Sequence, residues 1–372
     1  MTNREAYIVL NMISGVGTAR FKSLVENFKE PCKIFEQSIG SISKIKGISE
    51  ALANKIIYWE KDIDLNAELE FAKVSGTQIV TLDDAEYPEI LKGIYDPPLC
   101  LYVRGKLPDF SYNSLAVVGS RRATIYGRKM AKHLSESAVL AGWKVISGLA
   151  FGIDAIAHQA AVDAGGITVA VLGGGLSRVH PQEHVPLARS IIESGGALIS
   201  EFPMKFPVSR QSFPRRNRIV SGLSQAVLIV EAGLKSGALI TANLAMEQGK
   251  DIFAVPGHVD NPQAKGCHKL IKQGAKLTED FNDILDDLEN LPLFARMDEV
   301  NEESDEELEV SRPANMSEDE YQIIQLLQGE AKSFDHLAGV TNIPVASLNG
   351  LLTKMAMKMM LVQHPGKIYS LR

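Results

Sequence analysis

The chain has 372 residues, 45% of them hydrophobic and 23% charged, and its formal net charge is −6. A single core rarely grows beyond about 250–300 residues, so we expect two or three folded domains. The acidic balance excludes a generally basic surface, and any site for a polyanion must therefore be a local patch.

The N-terminal ten residues include Arg4 and Glu5 and lack the apolar core of a signal peptide. No apolar run approaches the roughly 20 residues that a membrane-spanning helix needs, and we expect a cytoplasmic protein without membrane contact. Cys32, Cys100 and Cys267 are odd in number and form no CxxC pair. This pattern argues against a disulfide framework and a structural zinc site, so we predict no bound metal and no cofactor.

Residues 1–65 predict a helix-hairpin-helix domain, because two short helices joined by a glycine turn occur there twice. In this motif the glycines bring backbone N–H groups at a helix N-terminus close to a phosphate, and Lys46 adds positive charge. The alternative is a small helical bundle that uses the same turns only for packing. The helical runs and turns are Ala6–Met12, Gly15–Gly17, Ala19–Phe28, Ile45–Ile48 and Ala51–Ile57.

Residues 66–292 predict a Rossmann-like α/β domain with a doubly wound, mainly parallel sheet, because short β-branched runs alternate with helical runs. We interpret Thr77–Gly105, which contains Tyr87-Pro88 and Asp96-Pro97-Pro98, as an irregular connection that leads into this domain. The predicted strands are Leu115–Val118, Val145–Ser147, Thr168–Leu172, Ala197–Ser200, Ala226–Val230 and Ile252–Val255. The predicted helices are Tyr126–Ala141, Asp154–Ala164, Val185–Ser194, Arg218–Leu223 and Ala238–Gln248.

The C-terminal part of the chain predicts an acidic linker over residues 293–315 and a winged-helix domain over residues 316–372. Three helical runs, Glu318–Leu327, Phe334–Val340 and Val345–Met359, precede a strand hairpin around Pro365. Winged helices often read duplex DNA with the third helix, but here that helix carries only Lys354 and Lys358 among several leucines and methionines. A protein contact or a packing role is the alternative.

Glycines follow several strands of the predicted sheet, at the edge where an open α/β sheet forms its binding crevice. Their exposed N–H groups and the helix N-termini behind them favour anions, so we predict a phosphate-bearing ligand. Tight turns made for structural reasons alone are the alternative. The glycines concerned are Gly119, Gly148, Gly152, Gly173, Gly174 and Gly237.

Cations and aromatic rings accompany these glycines. Arginines within a few positions of one another can clamp successive phosphates. Phe151 and Phe213 can stack on unpaired bases, a contact worth about 1–3 kcal/mol per base, although core packing is the alternative for each ring. The other candidate binding residues at this edge are Ser120, Arg121, Arg122, Arg215, Arg216, Asn217, Arg218, Lys235 and Ser236.

Motifs of common enzymes are missing from the sequence. There is no GxSxG elbow, no Walker A turn and no HExxH motif, and the dinucleotide fingerprint fails after Gly119. Asp154 and His158 share a helix face and could hold a metal or form an acid–base pair, but a capping aspartate beside a packed histidine is favoured. We therefore predict no catalytic residue.

The loops at the strand ends resemble those of the DNA-processing protein A family, DprA, also called Smf. The order of helical hairpins, Rossmann-like core and winged helix is also similar to that family. The chain departs from the common family pattern at His180–His184 and at Cys267-His268. The stretches that carry the resemblance are Val117–Arg121, Ser147–Asp154, Ile199–Pro203, Phe213–Ile219, Ser236–Ala242 and Val255–Gly257.

This resemblance implies a protein that binds single-stranded DNA, dimerises through its Rossmann-like domain and helps to load the RecA recombinase during natural transformation. It implies no catalysis, and it assigns the DNA pocket to Gly119, Ser120, Arg121 and neighbouring basic residues. The alternative is an enzyme that cleaves a nucleoside monophosphate. Glu231, ahead of Lys235-Ser236-Gly237, is similar to the glutamate of Rossmann-like phosphoribohydrolases, where it would assist glycosidic cleavage.

Overall fold

The computed structural model describes residues 1–289 continuously and, beyond them, residues 318–327, 332–341, 343–344, 348, 350–352, 354–355, 361–364 and 368–371. The chain divides into two compact units, Met1–Pro292 and Leu293–Arg372. Among the residues described, no helix has both the length and the apolar character needed to cross a lipid bilayer.

A nine-stranded sheet forms the centre of the first unit, with the spatial order β1-β2-β6-β5-β4-β3-β7-β8-β9. In this spatial order, every pair of neighbours in the run β6-β5-β4-β3-β7-β8-β9 is parallel. This confirms the predicted α/β fold with a mainly parallel sheet. The strands are β1 Thr77–Thr81, β2 Cys100–Gly105, β3 Ser114–Val118, β4 Lys144–Ser147, β5 Thr168–Val171, β6 Ala197–Ser200, β7 Ala226–Ile229, β8 Asp251–Ala254 and β9 Lys276–Leu277.

The expected irregular connection between Thr77 and Gly105 is wrong. Strands β1 and β2 pair with each other in antiparallel fashion, and β2 pairs in the same way with β6. The prolines that suggested a connection lie between the two strands, whereas Cys100–Gly105 itself begins with four buried residues. Burial against the sheet therefore makes this segment an outer strand in spite of its flanking turns.

Helices cover both faces of the sheet. Buried alanines such as Ala131, Ala157 and Ala161 allow them to lie close to the strands. The five predicted helices of this region are confirmed, although one of them begins six residues earlier than expected. From the third strand onward the helices are α7 Ile125–Leu140, α8 Ile153–Asp163, α9 Val185–Glu193, α10 Ser212–Gly222, α11 Gly237–Glu247, α12 Lys265–Lys272 and α13 Asn282–Glu289.

The N-terminal helices form two hairpins with turns at Gly15 and Gly47, both of which have positive φ. Arg20 joins the hairpins, because its Nε donates to the Gly47 carbonyl at 2.9 Å and its Nη1 donates to the Gly15 carbonyl at 2.5 Å. Their apolar residues share one core with strand residues such as Tyr102 and Leu198. The helices are α1 Asn3–Met12, α2 Thr18–Phe28, α3 Ile39–Ser43, α4 Glu50–Ile57, α5 Leu65–Val74 and, between β1 and β2, α6 Glu89–Lys92.

The second unit has its own small core, which includes Ile323, Leu337, Leu352 and Tyr369. Its described elements are α14 Glu318–Leu327, β10 Lys332–Ser333, α15 Phe334–Val340, β11 Leu361–His364 and β12 Ile368–Leu371, and its three strands have the order β10-β12-β11. The predicted acidic linker and much of the predicted third helix lie outside the described residues, so the winged helix stays a prediction.

Candidate nucleic-acid interface

The order of the sheet strands brings the glycine-rich loops together. Strand β3 lies between β4 and β7, because the chain continues from β3 through β4 and β5 to β6 on one side and then crosses over to β7, β8 and β9 on the other. An open α/β sheet binds ligands at such a reversal, outside the carboxyl ends of the strands. The loops after β3, β4, β5 and β7 meet there, as the sequence predicts.

The loops after β3, β4 and β7, together with the segment after β6 and the start of α10, line a cavity of about 580 Å³, which we call the main cleft. It contains most of the predicted binding residues and several that the sequence did not single out. Its lining includes Gly119, Ser120, Arg121, Arg122, Gly148, Asp154, Arg210, Phe213, Arg216, Asn217, Lys235, Ser236, Gly237 and Gln263.

The N-terminal turns of two helices contribute to the main cleft. Helix α10 presents Phe213 and Pro214, and α11 presents Gly237 and Ala238. Ser236 caps α11, because its hydroxyl accepts a hydrogen bond from the Ala238 N–H at 3.3 Å. Unpaired N–H groups and the positive end of the helix dipole make such turns favourable for anions.

The main cleft is rich in positive charge. Arg121, Arg122, Arg210 and Lys235 are exposed residues on its lining. Asp154 is the one acid among the described lining residues, and it is buried with its carboxylate accepting from the Gly148 N–H at 3.2 Å and the Ala150 N–H at 3.4 Å. The cleft therefore attracts polyanions although the chain as a whole is acidic.

Arg121 combines with an aromatic ring at the centre of the site. Its guanidinium carbon lies 4.8 Å from the centroid of the Phe213 ring. Arg121 and Phe213 also line a smaller cavity of about 90 Å³, the side cleft, together with Phe151, Gly173 and Gly174. A cation and a half-exposed ring side by side suit a ligand that carries both phosphates and unstacked bases.

Phe151 and Gly152 lie at the edge of the loop after β4. Phe151 is 45% exposed, and its ring contacts the His184 ring edge-on with 4.9 Å between centroids. Gly152 has φ +79°, and a Cβ there would collide with the Ser120 carbonyl oxygen. Only glycine therefore lets the loops of Ser120 and Gly152 pack so closely. Both residues border a shallow cavity of about 510 Å³ that shares Arg121 and Arg122 with the main cleft.

The predicted cluster of arginines on α10 does not face a single surface. Arg215 and Arg218, three positions apart, both contact the carboxylate of buried Glu201, at 3.2 and 2.5 Å. Arg218 is only 8% exposed and also pairs with Asp96 at 3.3 Å. The structure thus places both arginines outside the main cleft, in an ion network around Glu201 in which Arg218 is buried and Arg215 is exposed.

Arg216 lies in the main cleft but acts mainly as part of its floor. It is 4% exposed, its Nη1 donates to the Gly148 carbonyl at 2.5 Å and to the Val171 carbonyl, and its Nε donates to the Asn217 side chain at 3.1 Å. Burial lowers the pKa of Arg216 to about 10, and the nearby Asp154 carboxylate opposes that shift. Its guanidinium positions the Gly148 loop and gives the cleft a positive floor.

Glu231 follows β7 but is missing from the main cleft. Its carboxylate is 2% exposed and accepts from the Thr124 N–H at 2.9 Å and from the Thr124 hydroxyl at 2.5 Å. A Cβ on Gly127, in the first turn of α7, would collide with this carboxylate. Glu231 therefore stabilises the N-terminus of α7, a position that does not leave it free to assist a glycosidic cleavage.

His158 has the packed role that the sequence favoured, whereas the expected capping role of Asp154 is wrong: Gly152 is the N-cap of α8, and the Asp154 carboxylate accepts from N–H groups of the preceding loop. His158 is fully buried, and its Nδ1 lies 2.7 Å from the Thr168 hydroxyl. Burial, aided by the charge of Arg216, lowers the pKa of His158 to about 3, so the ring is neutral at physiological pH. A buried neutral imidazole beside a hydroxyl is a packed core group.

Three functional candidates escaped sequence reasoning: Arg210, Arg178 and His184. Arg210 lines the main cleft from the segment before α10, Arg178 lines the side cleft, and His184 packs against Phe151. Arg178 and Arg210 lie several residues beyond the ends of β5 and β6, and His184 ends a 3₁₀ helix just before α9. The available signal was the concentration of arginine and histidine in these loops.

Comparison with known proteins agrees with this geometry. Residues 78–289, more than half of the chain, match the family model described as DNA recombination-mediator protein A. The chain belongs to the DNA recombination-mediator protein A family. Residues 7–58 match a second model, the SAM-like helix-hairpin-helix tandem, which confirms the predicted N-terminal motif.

Individual relatives extend the comparison. Protein Smf of Escherichia coli K12 is 47% identical over 211 residues, which cover 57% of this chain and 56% of that protein. The structure of DNA processing protein A from Streptococcus pneumoniae superposes with a TM-score of 0.66 and 34% identity, covering 77% of this chain and 98% of the other. The structure of DNA processing protein A from Helicobacter pylori, described for its single-stranded DNA binding mode, gives a TM-score of 0.52 at 28% identity and covers 57% of this chain and 97% of the other. The resemblance to the DprA/Smf family is thus confirmed.

Proposed function

We propose that this protein binds single-stranded DNA in the main cleft and processes DNA as a recombination mediator in natural transformation. The observation that carries the proposal is the pairing of Arg121 with Phe213, 4.8 Å apart, in a cleft whose exposed charges are positive. The ring offers a face to a base, and the guanidinium next to it reaches the adjoining phosphate.

The binding residues divide by chemistry. Arg121, Arg122 and Lys235 hold phosphates, assisted by the N-terminal turn of α11 at Ser236 and Gly237. Asn217 offers its amide to a base edge. Phe213 and Phe151 stack on bases. A Cβ would collide with or crowd neighbouring protein atoms at each of five glycines, so these residues let the loops of the site pack closely, and Arg216 supports the floor; the five are Gly119, Gly148, Gly152, Gly173 and Gly174. We leave Arg215 and Arg218 out of direct DNA contact because both pair with Glu201.

Selection for single strands follows from the rings. Bases in a duplex are already stacked on one another, so Phe213 reaches a base face only where the strand is unpaired. The Helicobacter pylori relative, a structure described by its single-stranded DNA binding mode, supports the same ligand class for this chain. No catalytic step is part of the proposal.

Family membership supports a more detailed proposal about how the protein works. We propose that the protein works in the cytoplasm as a homodimer joined through its Rossmann-like domain. It protects incoming single strands and hands them to the RecA recombinase. Neither step needs a chemical reaction at the main cleft, which agrees with a site made of cations, rings and glycines.

The test is fluorescence anisotropy of a labelled oligo-dT with the unmodified protein and with Arg121→Ala, at low and at physiological salt, with duplex DNA as competitor. We expect salt-sensitive, strand-selective binding that the substitution weakens at least tenfold, or about 1.4 kcal/mol. The assignment of the main cleft would be overturned if Arg121→Ala left the affinity for oligo-dT unchanged, or if duplex DNA competed as well as single-stranded DNA.

A further inference from the structure

A second cationic cavity lies beside the N-terminal end of α9. Its volume is about 410 Å³, and we call it the arginine groove. Three arginines line it: Arg104 from β2, Arg178 from the segment between β5 and α9, and Arg189 from α9. Its apolar walls come from Leu176, Val179 and Ile192. No acid is among its described lining residues.

The three arginines of the groove are not neutralised within the described part of the chain, where none of them forms an ion pair. Arg104 is half-buried, and its Nε and Nη2 donate to the Thr77 hydroxyl at 3.2 and 3.1 Å. Burial lowers the pKa of Arg104, with no carboxylate to oppose the shift. A partly desolvated guanidinium whose partner is a neutral hydroxyl gains free energy when an anion arrives.

Arg178 connects the groove to the site already described. It lines both the arginine groove and the side cleft, and the side cleft shares Arg121 with the main cleft. The Gln182 amide, turned with its oxygen toward Arg178, accepts from Nη2 at 3.1 Å and from Nε at 3.2 Å, which orients this guanidinium. Arg121, Arg178 and Arg104 therefore mark one continuous cationic path.

We propose that the arginine groove holds the sugar–phosphate backbone of the DNA strand where it leaves the main cleft. The inference rests on the proposed function and extends it, because it adds a binding site beyond the loops of the Rossmann-like crevice. Phosphates pair with the guanidinium groups of Arg104, Arg178 and Arg189, and the apolar walls accept the sugars. An acidic peptide is the other polyanion of suitable charge, but continuity with the main cleft favours the strand.

The test compares oligo-dT of about 6 nucleotides, which occupies the main cleft, with oligo-dT of about 20 nucleotides, which also reaches the groove. The arginine variant of the full-length protein combines Arg104→Gln with Arg189→Gln. The control variant combines Lys132→Gln with Lys272→Gln, which replace two exposed lysines that line no described cavity. We expect the arginine variant to bind the short strand within about twofold of the unmodified protein and the long strand about tenfold more weakly. The salt slope for the long strand falls by about 1.4, since each lost contact to a single strand contributes about 0.7. The lysine variant keeps both affinities.

Each other outcome counts against the proposal in a distinguishable way. If the arginine variant keeps the affinity for the long strand, the groove does not hold DNA. If it instead loses binding of labelled hexaglutamate, the groove is a peptide site. If neither strand binds the unmodified protein, the proposed function fails together with this inference. The single variant Arg189→Gln removes an exposed side chain, and we expect it to weaken binding of the long strand about threefold. This variant keeps the test valid even if Arg104→Gln causes a folding defect.

Discussion

The guanidinium of Arg121 lies over the ring of Phe213, although the two residues are 92 positions apart in the chain and belong to different elements. Arg121 comes from the loop after β3, and Phe213 belongs to the first turn of α10. Each group restricts the other, so the charge and the ring face are oriented before a ligand arrives. Preorganisation of this kind lowers the entropy cost of binding.

Removal of the ring tests its stacking role. We expect Phe213→Ala to weaken oligo-dT binding at least about fivefold, because one base–aromatic stack is worth about 1–3 kcal/mol. Phe206→Ala is the matched control, since Phe206 is 38% exposed, stacks on Phe202 and lines neither cleft. Anisotropy titrations of both variants decide the matter, and equal affinities would assign Phe213 to packing.

The salt dependence of DNA affinity distinguishes an arginine that contacts phosphate from one that does not. We expect Arg121→Ala to reduce the slope of log affinity against log salt by about 0.7, because one phosphate contact is lost. Arg215→Ala removes an exposed arginine that pairs with Glu201 and leaves the slope unchanged. Titrations at four or more salt concentrations give both slopes. A reduced slope for Arg215→Ala would return that residue to the binding surface.

Two glycines share a φ of +79° but differ in their surroundings, and Gly152 combines this φ with ψ −125°, which L residues rarely adopt. Gly142 faces open space, whereas a Cβ on Gly152 would collide with the Ser120 carbonyl. We expect Gly142→Ala to cost about 1 kcal/mol of unfolding free energy and Gly152→Ala about 2–5 kcal/mol, with weaker DNA binding as well. Urea unfolding measures both costs. Equal costs would show that the loops can separate without penalty.

Replacement of Glu231 distinguishes a structural carboxylate from a catalytic one. Glu231→Gln places an amide opposite the Thr124 N–H and hydroxyl, so we expect about 1–3 kcal/mol lower unfolding free energy. Liquid chromatography should detect no free base from a panel of nucleoside monophosphates with either protein. Base release by the unmodified protein that disappears in the variant would support the phosphoribohydrolase alternative.

His158 makes stability depend on pH in a defined direction. Its pKa is about 3 in the folded protein against an ordinary 6.5, so the unfolded chain binds the proton more readily between these values. Stability from this group is complete above pH 6.5 and is lost as the pH falls toward 3. We expect the unfolding free energy of the unmodified protein, relative to His158→Gln, to drop by about 2 kcal/mol between about pH 7 and pH 5. A constant difference would place a charged imidazole in the core.

Much of the sheet was predictable because the parallel strands β3 to β8 are short, largely buried apolar runs, whereas the partly exposed parallel strand β9 was not predicted. Ala226–Ile229 and Ala197–Ser200 illustrate this, with every residue buried. The outer strands were not predictable in the same way. Cys100–Gly105 lies among prolines, and its strand conformation depends on pairing with Ala197–Ser200, a partner almost 100 positions away. Local patterns carry no information on such a partner.

The candidate site was predictable as a set of loops but not as a set of contacts. Arg215, Arg216 and Arg218 are close together along the sequence, which suggested a single binding surface. In α10 they do not all lie on one face, because successive residues of a helix are rotated by about 100°. Residues three or four positions apart share a face, so Arg215 and Arg218 meet Glu201, while Phe213, Arg216 and Asn217 line the main cleft. The pairing of Glu201 with Arg215 and Arg218 could not be predicted from the sequence, because it depends on the fold that brings the residue after β6 next to α10.

The buried carboxylate of Glu231 also affects which ligands can compete for this fold. In many sheets of this type the first helix after the reversal point offers its N-terminus to the phosphate of a small cofactor. Here the Glu231 carboxylate of the chain itself occupies the N-terminus of α7, where it accepts from Thr124. A free nucleotide would have to displace this side chain to bind there. We therefore expect small nucleotides to bind poorly at this helix and the proposed DNA strand to contact the neighbouring loops instead.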